Sequence, residues 1–188
     1  MPWRHGGGGG RYGRAKLAGL ILIGLLPQPA GASSPANLER AVKASFLLKF
    51  APFVEWPPAA FTAADRNFVI CVTGEDPFGN ILNDVVRGQR MKQRPVSVRR
   101  LGTAGSAAGC HILYAGRSAE AEYAPFPAAG SLPILTVSDK STGPTGAMIA
   151  FLVQGGRVRF QIDDGAARAS GLKISSKLLA LAVTVNRK

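Results

Sequence analysis

Few side chains in this chain have the type and spacing needed for catalysis. His111, one of two histidines, lies in the apolar run 111–115. No serine has the Gly-x-Ser-x-Gly surroundings of a hydrolase nucleophile. Ser170-Gly171-Leu172-Lys173 matches a Ser-x-x-Lys pattern, but the Lys-Ser-Thr-Gly stretch at 140–143 precedes it, which reverses the order in penicillin-binding enzymes. We therefore expect His111 to be structural and the protein not to be an enzyme.

Metal and phosphate sites are not indicated either. Two cysteines and two histidines argue against a Cys/His zinc site. Gly102, Gly105 and Gly109 lack the spacing of a phosphate-binding loop and precede a strand-like segment. The carboxylates at 75–76 and 163–164 are adjacent in sequence, so on extended backbone they point to opposite sides, and helix capping explains them better. We expect no cofactor and no metal.

Cys71 and Cys110 are the two cysteines. In an exported protein the compartment is oxidising, and two cysteines then suggest one disulfide. Two buried free thiols are the alternative, because sequence spacing does not show whether the two Cβ atoms face each other.

Positive charge is concentrated in one stretch. The chain has 23 Lys and Arg against 11 Asp and Glu, a formal charge of +12. Six of the cations fall within residues 87–100, namely Arg87, Arg90, Lys92, Arg94, Arg99 and Arg100. No aromatic residue lies between them to stack on bases, so we expect no nucleic-acid partner. Anionic membrane headgroups, an acidic partner or simple solvation remain as interpretations.

The first 32 residues have the layout of a secretory signal peptide. Four basic residues and no acid occupy 1–16, ten mostly apolar residues follow at 17–26, and Ala30-Gly31-Ala32 has the A-x-A form of a cleavage site. A membrane-spanning helix needs about 20 apolar residues. The run at 17–26 is half that length, so we predict a cleaved signal peptide over 1–32 and one domain over 33–188. An uncleaved anchor or a soluble amphipathic arm is the alternative for the first segment.

The spacing of apolar residues predicts alternating helices and strands. With Asn37 as N-cap, apolar residues recur every fourth position from Leu38 to Phe50, which predicts a helix over about 38–51 that Pro52 ends. Strand-length apolar runs occur at 68–72, 96–98, 111–115 and 134–137. A helix between the first two is expected to begin at Asp76-Pro77 and to end near Gly88.

The C-terminal third predicts a hairpin and a helix. Apolar runs at 148–153 and 158–162 flank a Gly-Gly turn, which is typical of a β-hairpin. Asp163-Asp164 can cap a last helix that Gly171 interrupts; its buried candidates are Ala167, Leu172, Leu178, Leu179 and Val183. The predicted fold class is a single-domain, three-layer α/β sandwich whose mostly parallel sheet carries a C-terminal antiparallel hairpin and a final helix.

Several segments together resemble the YfiR-like family of periplasmic regulators. They occur in the family's order over about 38–182: 42–50 with Phe-Val-Glu-Trp-Pro at 53–57, Ile70–Gly79, Cys110–Leu113, Leu135–Asp139, Met148–Phe151, Arg157–Ile162 and Gly171–Leu179. The resemblance implies a compact α/β domain that dimerises in the periplasm. It also implies a partner, the periplasmic sensor part of an inner-membrane diguanylate cyclase, which the domain would hold inactive, lowering cyclic-di-GMP and biofilm formation. Cys71 and Cys110 match the family pattern, so redox state could affect folding or docking.

Four aromatic residues at the end of the first helix and in the segment after it have two interpretations. Phe50, Phe53, Trp56 and Phe61 are either core residues or anchors of a partner-binding surface. A second hypothesis of function is a periplasmic small-molecule receptor, acting with another membrane sensor, whose ligand lies at the carboxyl ends of the strands.

Overall fold

The computed structural model describes residues 1–3, 34–61, 67–102, 106–117, 126 and 132–187. The chain divides into two units, Met1–Ala32 and Ser33–Lys188. The predicted signal peptide lies almost wholly outside the described residues and stays a prediction. Among the described residues, no helix combines the length and hydropathy needed to cross a bilayer.

The second unit opens with helix α1, Pro35–Phe50. Its N-cap is Ser34, whose Oγ accepts a hydrogen bond from the Asn37 amide. The predicted N-cap Asn37 is therefore wrong by three residues. The reason is that Pro35 fits the first helical turn, where the backbone amides have no partner within the helix and the missing N–H of proline costs nothing. A 3-10 turn, Ala51–Phe53, follows and contains Pro52.

Within the described residues, ten strands form an eight-stranded sheet and a two-stranded ribbon. The ribbon pairs β1 (Val54–Glu55) with β9 (Lys173–Ile174) in antiparallel fashion. The order in the large sheet is β10-β8-β7-β6-β5-β2-β4-β3. Its strands are β2 (Phe68–Thr73), β3 (Arg90–Met91), β4 (Arg94–Arg100), β5 (Ile112–Ala115), β6 (Leu135–Asp139), β7 (Ile149–Gln154), β8 (Arg157–Asp163) and β10 (Thr184–Asn186).

Strands β4, β2, β5, β6 and β7 run parallel to one another. On either side of this set, β3 pairs with β4 and β8 pairs with β7 in antiparallel fashion. After β2 the chain forms β3 and β4 on one side of β2 and then β5 on its other side. The direction in which strands are added to the sheet therefore reverses between β2 and β5. In open α/β sheets such a switch point is the usual ligand position, at the carboxyl ends of the strands. The predicted fold class is confirmed.

The main core lies on the face of the sheet that α1 and α2 (Asn80–Val86) cover. Alternate residues of β2, Phe68, Ile70 and Val72, point into it because strand side chains alternate between faces. A smaller cluster of Cys71, Cys110, Leu113 and Ile134 lies apart from this core and includes the alternate β2 position.

Helix α2 exists as predicted, but it begins four residues after Asp76. Asp76 Oδ1 instead accepts hydrogen bonds from the amides of Phe78 (2.7 Å) and Gly79 (3.3 Å), which forms a turn before the helix. The Asp76 side chain therefore organises the β2–α2 connection rather than capping the helix.

The hairpin of β7 and β8 is confirmed, with Phe151 opposite Phe160. Its turn residues Gly155 and Gly156 have φ values of 57° and 69°, which a two-residue hairpin turn of type I′ requires. Asp163 caps α3 (Asp164–Ala169), accepting from the Ala166 amide at 2.8 Å.

The segment after α3 is more divided than the sequence predicts. A break at Ser170-Gly171 leads to β9, then to the short helix α4 (Ser176–Leu179), and the chain returns as β10 parallel to β8. Ala167, Leu172 and Leu178 are buried, but Leu179 is half-buried and Val183 is exposed, so the prediction that Val183 is buried is wrong. The edge strand β10 has only three residues, so it buries little apolar surface and its sequence shows no clear strand periodicity.

Candidate partner-binding groove

A groove of about 440 Å³ lies between the segment that follows α1 and the β3–β4 turn. Its lining combines apolar and cationic residues: Val54, Trp56, Pro58, Phe61, Met91, Lys92, Gln93 and Arg94. Two of the four predicted partner-binding aromatics, Trp56 and Phe61, therefore line one concave surface. We refer to it as the aromatic groove.

His111 supports the aromatic groove from beneath. Its ring lies 4.8 Å from the Phe61 ring centroid and 4.7 Å from that of Phe68. Its carbonyl accepts a hydrogen bond from Trp56 Nε1 at 3.3 Å, and its Nδ1 accepts one from the Val69 amide at 3.1 Å. An accepting Nδ1 carries no proton, so the imidazole has its hydrogen on Nε2. Fully buried and bonded in this way, His111 has a structural role.

The rim of the groove is positively charged. The Arg94 guanidinium lies 4.9 Å from the centroid of the Phe61 ring, a cation–π arrangement. Lys92 has a left-handed backbone, with φ at 53°, in the turn between β3 and β4. An apolar floor with cations beside it is suited to an apolar anchor that is followed by a carboxylate.

The other two predicted partner-binding aromatics lie elsewhere. Phe50 is 1% exposed, and its ring packs against those of Phe46, Phe151 and Phe160 at 5.2–5.8 Å. It belongs to the core, which corrects the partner-binding hypothesis for that residue. Phe53 is half-buried against the same core.

The six cations of residues 87–100 do not form one uniform patch. Arg87 pairs with Asp84 at 2.6 Å, and Arg90 donates to the carbonyl of Gln93. Arg100 is held by Asp76 Oδ2 at 2.7 Å, by Asn83 Oδ1 at 3.1 Å and by the Gly79 carbonyl at 2.6 Å. Each contact gives its cation a local structural role.

Sequence reasoning missed that Met91, Lys92, Gln93 and Arg94 belong with Trp56 and Phe61. The sequence identifies Lys92 and Arg94 only as two of the six cations within residues 87–100. The pairing of β3 with β4 brings them to the groove, and a two-residue strand such as β3 has no detectable periodicity.

The two cysteines are joined by a disulfide, with their Cα atoms 5.8 Å apart. Cys71 lies within β2, and Cys110 directly precedes His111. The bond therefore ties β2 to the residue on which Phe61 and Trp56 rest.

The carboxyl ends of the parallel strands are closed where the structure describes them. The Glu75 amide donates to the Arg117 carbonyl at 2.8 Å, so the loops after β2 and β5 touch through their backbones. A Cβ on Gly116 would lie 1.8 Å from the Glu75 carbonyl oxygen, and one on Gly74 would lie 2.9 Å from two carbonyl oxygens of the other loop. A ligand at this switch point would have to separate the loops. The hypothesis of a small-molecule receptor therefore applies to the aromatic groove and not to this edge of the sheet.

A buried ion pair lies beside the same edge. Lys43 Nζ bonds Asp139 Oδ2 at the end of β6 and also pairs with Glu39 at 2.6 Å, and Ser141 Oγ donates to Asp139 Oδ1 at 2.8 Å. Burial opposes ionisation of both partners, but these bonds outweigh it. They lower the pKa of the Asp139 carboxyl and raise the pKa of the Lys43 ammonium. Burial, together with the charge on Asp139, raises the pKa of the nearby Tyr114 phenol.

A family model described as YfiR/HmsC-like matches residues 40–183, most of the chain. No curated protein matches the chain. The matched region contains the large sheet except β10, as well as the disulfide and the whole aromatic groove. On this match, the protein belongs to the YfiR/HmsC-like family.

Proposed function

We propose that the protein is an exported, non-enzymatic regulator of the periplasm. It binds the periplasmic sensor part of an inner-membrane diguanylate cyclase and holds the cyclase inactive, which lowers cyclic-di-GMP and biofilm formation. The family match supports the regulatory role. The layout of residues 1–32 supports export, with cleavage after Ala32 leaving the domain 33–188.

The aromatic groove is the observation that supports binding through direct contact. Aromatic side chains in a concave pocket are the usual anchors of protein interfaces, and charges at the rim orient the partner. We assign the partner surface to Trp56 and Phe61 together with the adjoining Met91 and Arg94. Repression requires that the domain bind the inactive cyclase more tightly than the active one, because a ligand shifts a conformational equilibrium only through its differential affinity.

The disulfide supports sensitivity to redox state. Reduction would release Cys110 from β2, and the neighbouring His111 would then support Phe61 and Trp56 less firmly. We expect a reduced domain to bind its partner more weakly, even where it stays folded. Homodimerisation, which the family resemblance implies, belongs to the same proposal and is tested by analytical ultracentrifugation of the domain 33–188.

The experiment that tests this function is gene deletion with measurement of cellular cyclic-di-GMP. We expect deletion to raise cyclic-di-GMP, and we expect the full chain to reverse the rise while a chain lacking residues 1–32 does not. Equal rescue by both forms would contradict action from the periplasm. An unchanged cyclic-di-GMP level in cells that express the protein would contradict cyclase repression.

A small-molecule receptor is the second candidate function, and the size of the groove favours it. Ligand pockets commonly measure about 300–1,000 Å³ and are lined by apolar side chains with a few polar groups. The groove has a comparable volume and this kind of lining. A compound that raises the melting temperature of the wild-type domain, but not of a Phe61→Ala variant, would support this function.

A further inference from the structure

We propose that Cys110 is the sulfur through which the Cys71–Cys110 disulfide exchanges with external thiols and disulfides, and that Arg99 stabilises its thiolate. The inference does not depend on the proposed function. The two sulfurs have different surroundings, and two separate observations favour the same one.

The first observation is charge. Arg99 Nη2 lies 3.0 Å from Cys110 Sγ and also donates to the carbonyl of Ala108. The Ala108 bond holds the guanidinium beside the sulfur. A cation at this distance favours the thiolate, which is the nucleophilic form of cysteine.

The sheet itself sets this arrangement. Arg99 on β4 is the register partner of Cys71 on β2. Neighbouring residues of paired strands point to the same face, so Arg99 and the disulfide share one face. Cys110 then completes the contact from the turn before β5, where its amide donates to the Ala107 carbonyl at 3.0 Å.

The second observation is access. Both cysteines are buried, but Cys71 is 0% exposed in the middle of β2, whereas Cys110 is 5% exposed and directly follows a turn in which Ala108 is exposed. Exchange requires one sulfur to approach another along the axis of the bond being broken, so the cysteine beside the exposed turn is the easier one for an external thiol to reach.

The oxidation then proceeds in two balanced steps. The Cys110 thiolate attacks one sulfur of an external disulfide, forming a mixed disulfide and expelling one external thiolate. The Cys71 thiol loses its proton to solvent and attacks Cys110 Sγ, which expels the second external thiolate. The two cysteines lose two electrons and the external disulfide gains two. Reduction is the reverse: an external thiolate attacks Cys110 Sγ and expels the Cys71 thiolate, which takes a proton from solvent. A second external thiolate then attacks the external sulfur of the mixed disulfide, which releases the Cys110 thiolate and one external disulfide.

The test uses oxidised glutathione as the external disulfide and mass spectrometry to follow adduct formation at pH 7. We expect the Cys71→Ser variant, which keeps Cys110, to form its adduct at least tenfold faster than the Cys110→Ser variant. In the Cys71→Ser background, Arg99→Gln should slow the adduct about threefold or more, and Arg99→Lys should retain most of the rate. Arg87→Gln is the matched control, because Arg87 is an exposed arginine that pairs with Asp84.

The pH dependence separates a charge effect from a packing effect. Free thiols ionise near pH 8.5, so the difference between Arg99→Gln and its parent should shrink at pH 10. A difference that persists there, or an Arg99→Gln rate equal to its parent at pH 7, would contradict the role of Arg99.

A measurement on the native disulfide protects the test against misfolded variants. Wild-type protein is exposed briefly to limiting reduced glutathione, quenched with acid and mapped by peptide mass spectrometry. We expect the glutathione adduct on Cys110. An adduct mainly on Cys71, or equal amounts on both cysteines, would overturn the proposal.

Discussion

At the carboxyl ends of β2 and β5 the loop backbones touch, and a buried ion pair closes the space beside β6. At the amino ends of the same strands Trp56, Phe61 and Met91 leave an open groove. The first region is tightly packed, since Gly74 and Gly116 leave no room for a side chain between the loops. The second is apolar, partly exposed and rimmed with charge. The position where many α/β proteins bind ligands is here closed by the loops after β2 and β5, and we propose the opposite end of these strands as the surface for recognition.

Removal of the disulfide should have the largest effect, since it affects both stability and the groove. The bond closes a loop across 39 positions, for which chain entropy predicts about 4 kcal/mol. We expect the Cys71→Ser/Cys110→Ser double variant to lose about that much free energy of unfolding, measured by urea denaturation, and to bind its partner more weakly. A loss below about 1 kcal/mol would show that the bond does not hold β2 to the His111 segment.

Breaking the buried ion pair should affect stability alone. Lys43→Met leaves the Asp139 carboxylate buried without its main partner, which costs about 3 kcal/mol or more. Glu39→Gln is the control; its side chain is 38% exposed, so we expect a loss below about 1 kcal/mol. Urea denaturation measures both. Equal losses would mean that the Lys43–Asp139 contact has no special weight.

Truncation of a side chain within the aromatic groove should lower partner affinity much more than it lowers stability. Phe61→Ala removes an aromatic anchor and the ring beneath Arg94, and we expect partner affinity to fall about tenfold or more while the free energy of unfolding falls by about 1 kcal/mol. Leu181→Ala, which truncates an exposed apolar residue outside the groove, should change neither. If the Phe61→Ala variant still represses, the partner surface lies outside the aromatic groove.

The pH dependence of stability should be smallest in the neutral range. The pKa of Asp139 is lowered in the folded state, so its contribution is present above the unfolded value of about 3.9 and is lost as the pH falls through the folded value. The pKa of Lys43 is raised, so its contribution is present below about 10.4 and is lost as the pH rises through the folded value. We expect this pair to give a flat profile from pH 6 to 9, with an acid limb that Asp139→Asn reduces. A change in the Asp139→Asn effect within that range would contradict this assignment.

Local sequence patterns predicted the fold better than the site. Long apolar runs such as Phe68–Thr73 and the Gly155-Gly156 turn specify their structures locally, so the sheet and the hairpin were predictable. The starts of α1 and α2 were not, because Ser34, Asn37 and Asp76 are all competent capping residues and tertiary contacts select among them. The groove forms where residues 54–61 lie against residues 91–94. The spacing of residues within either segment does not predict this contact.

The central claim, that the aromatic groove carries repression, is tested by cyclic-di-GMP in a deletion strain that expresses either Arg94→Glu or Arg87→Glu at equal levels. Both variants reverse one exposed or half-exposed cation, but only Arg94 lies on the groove. We predict that Arg94→Glu fails to lower cyclic-di-GMP while Arg87→Glu restores the wild-type level. Equal repression by the two variants would contradict the claim.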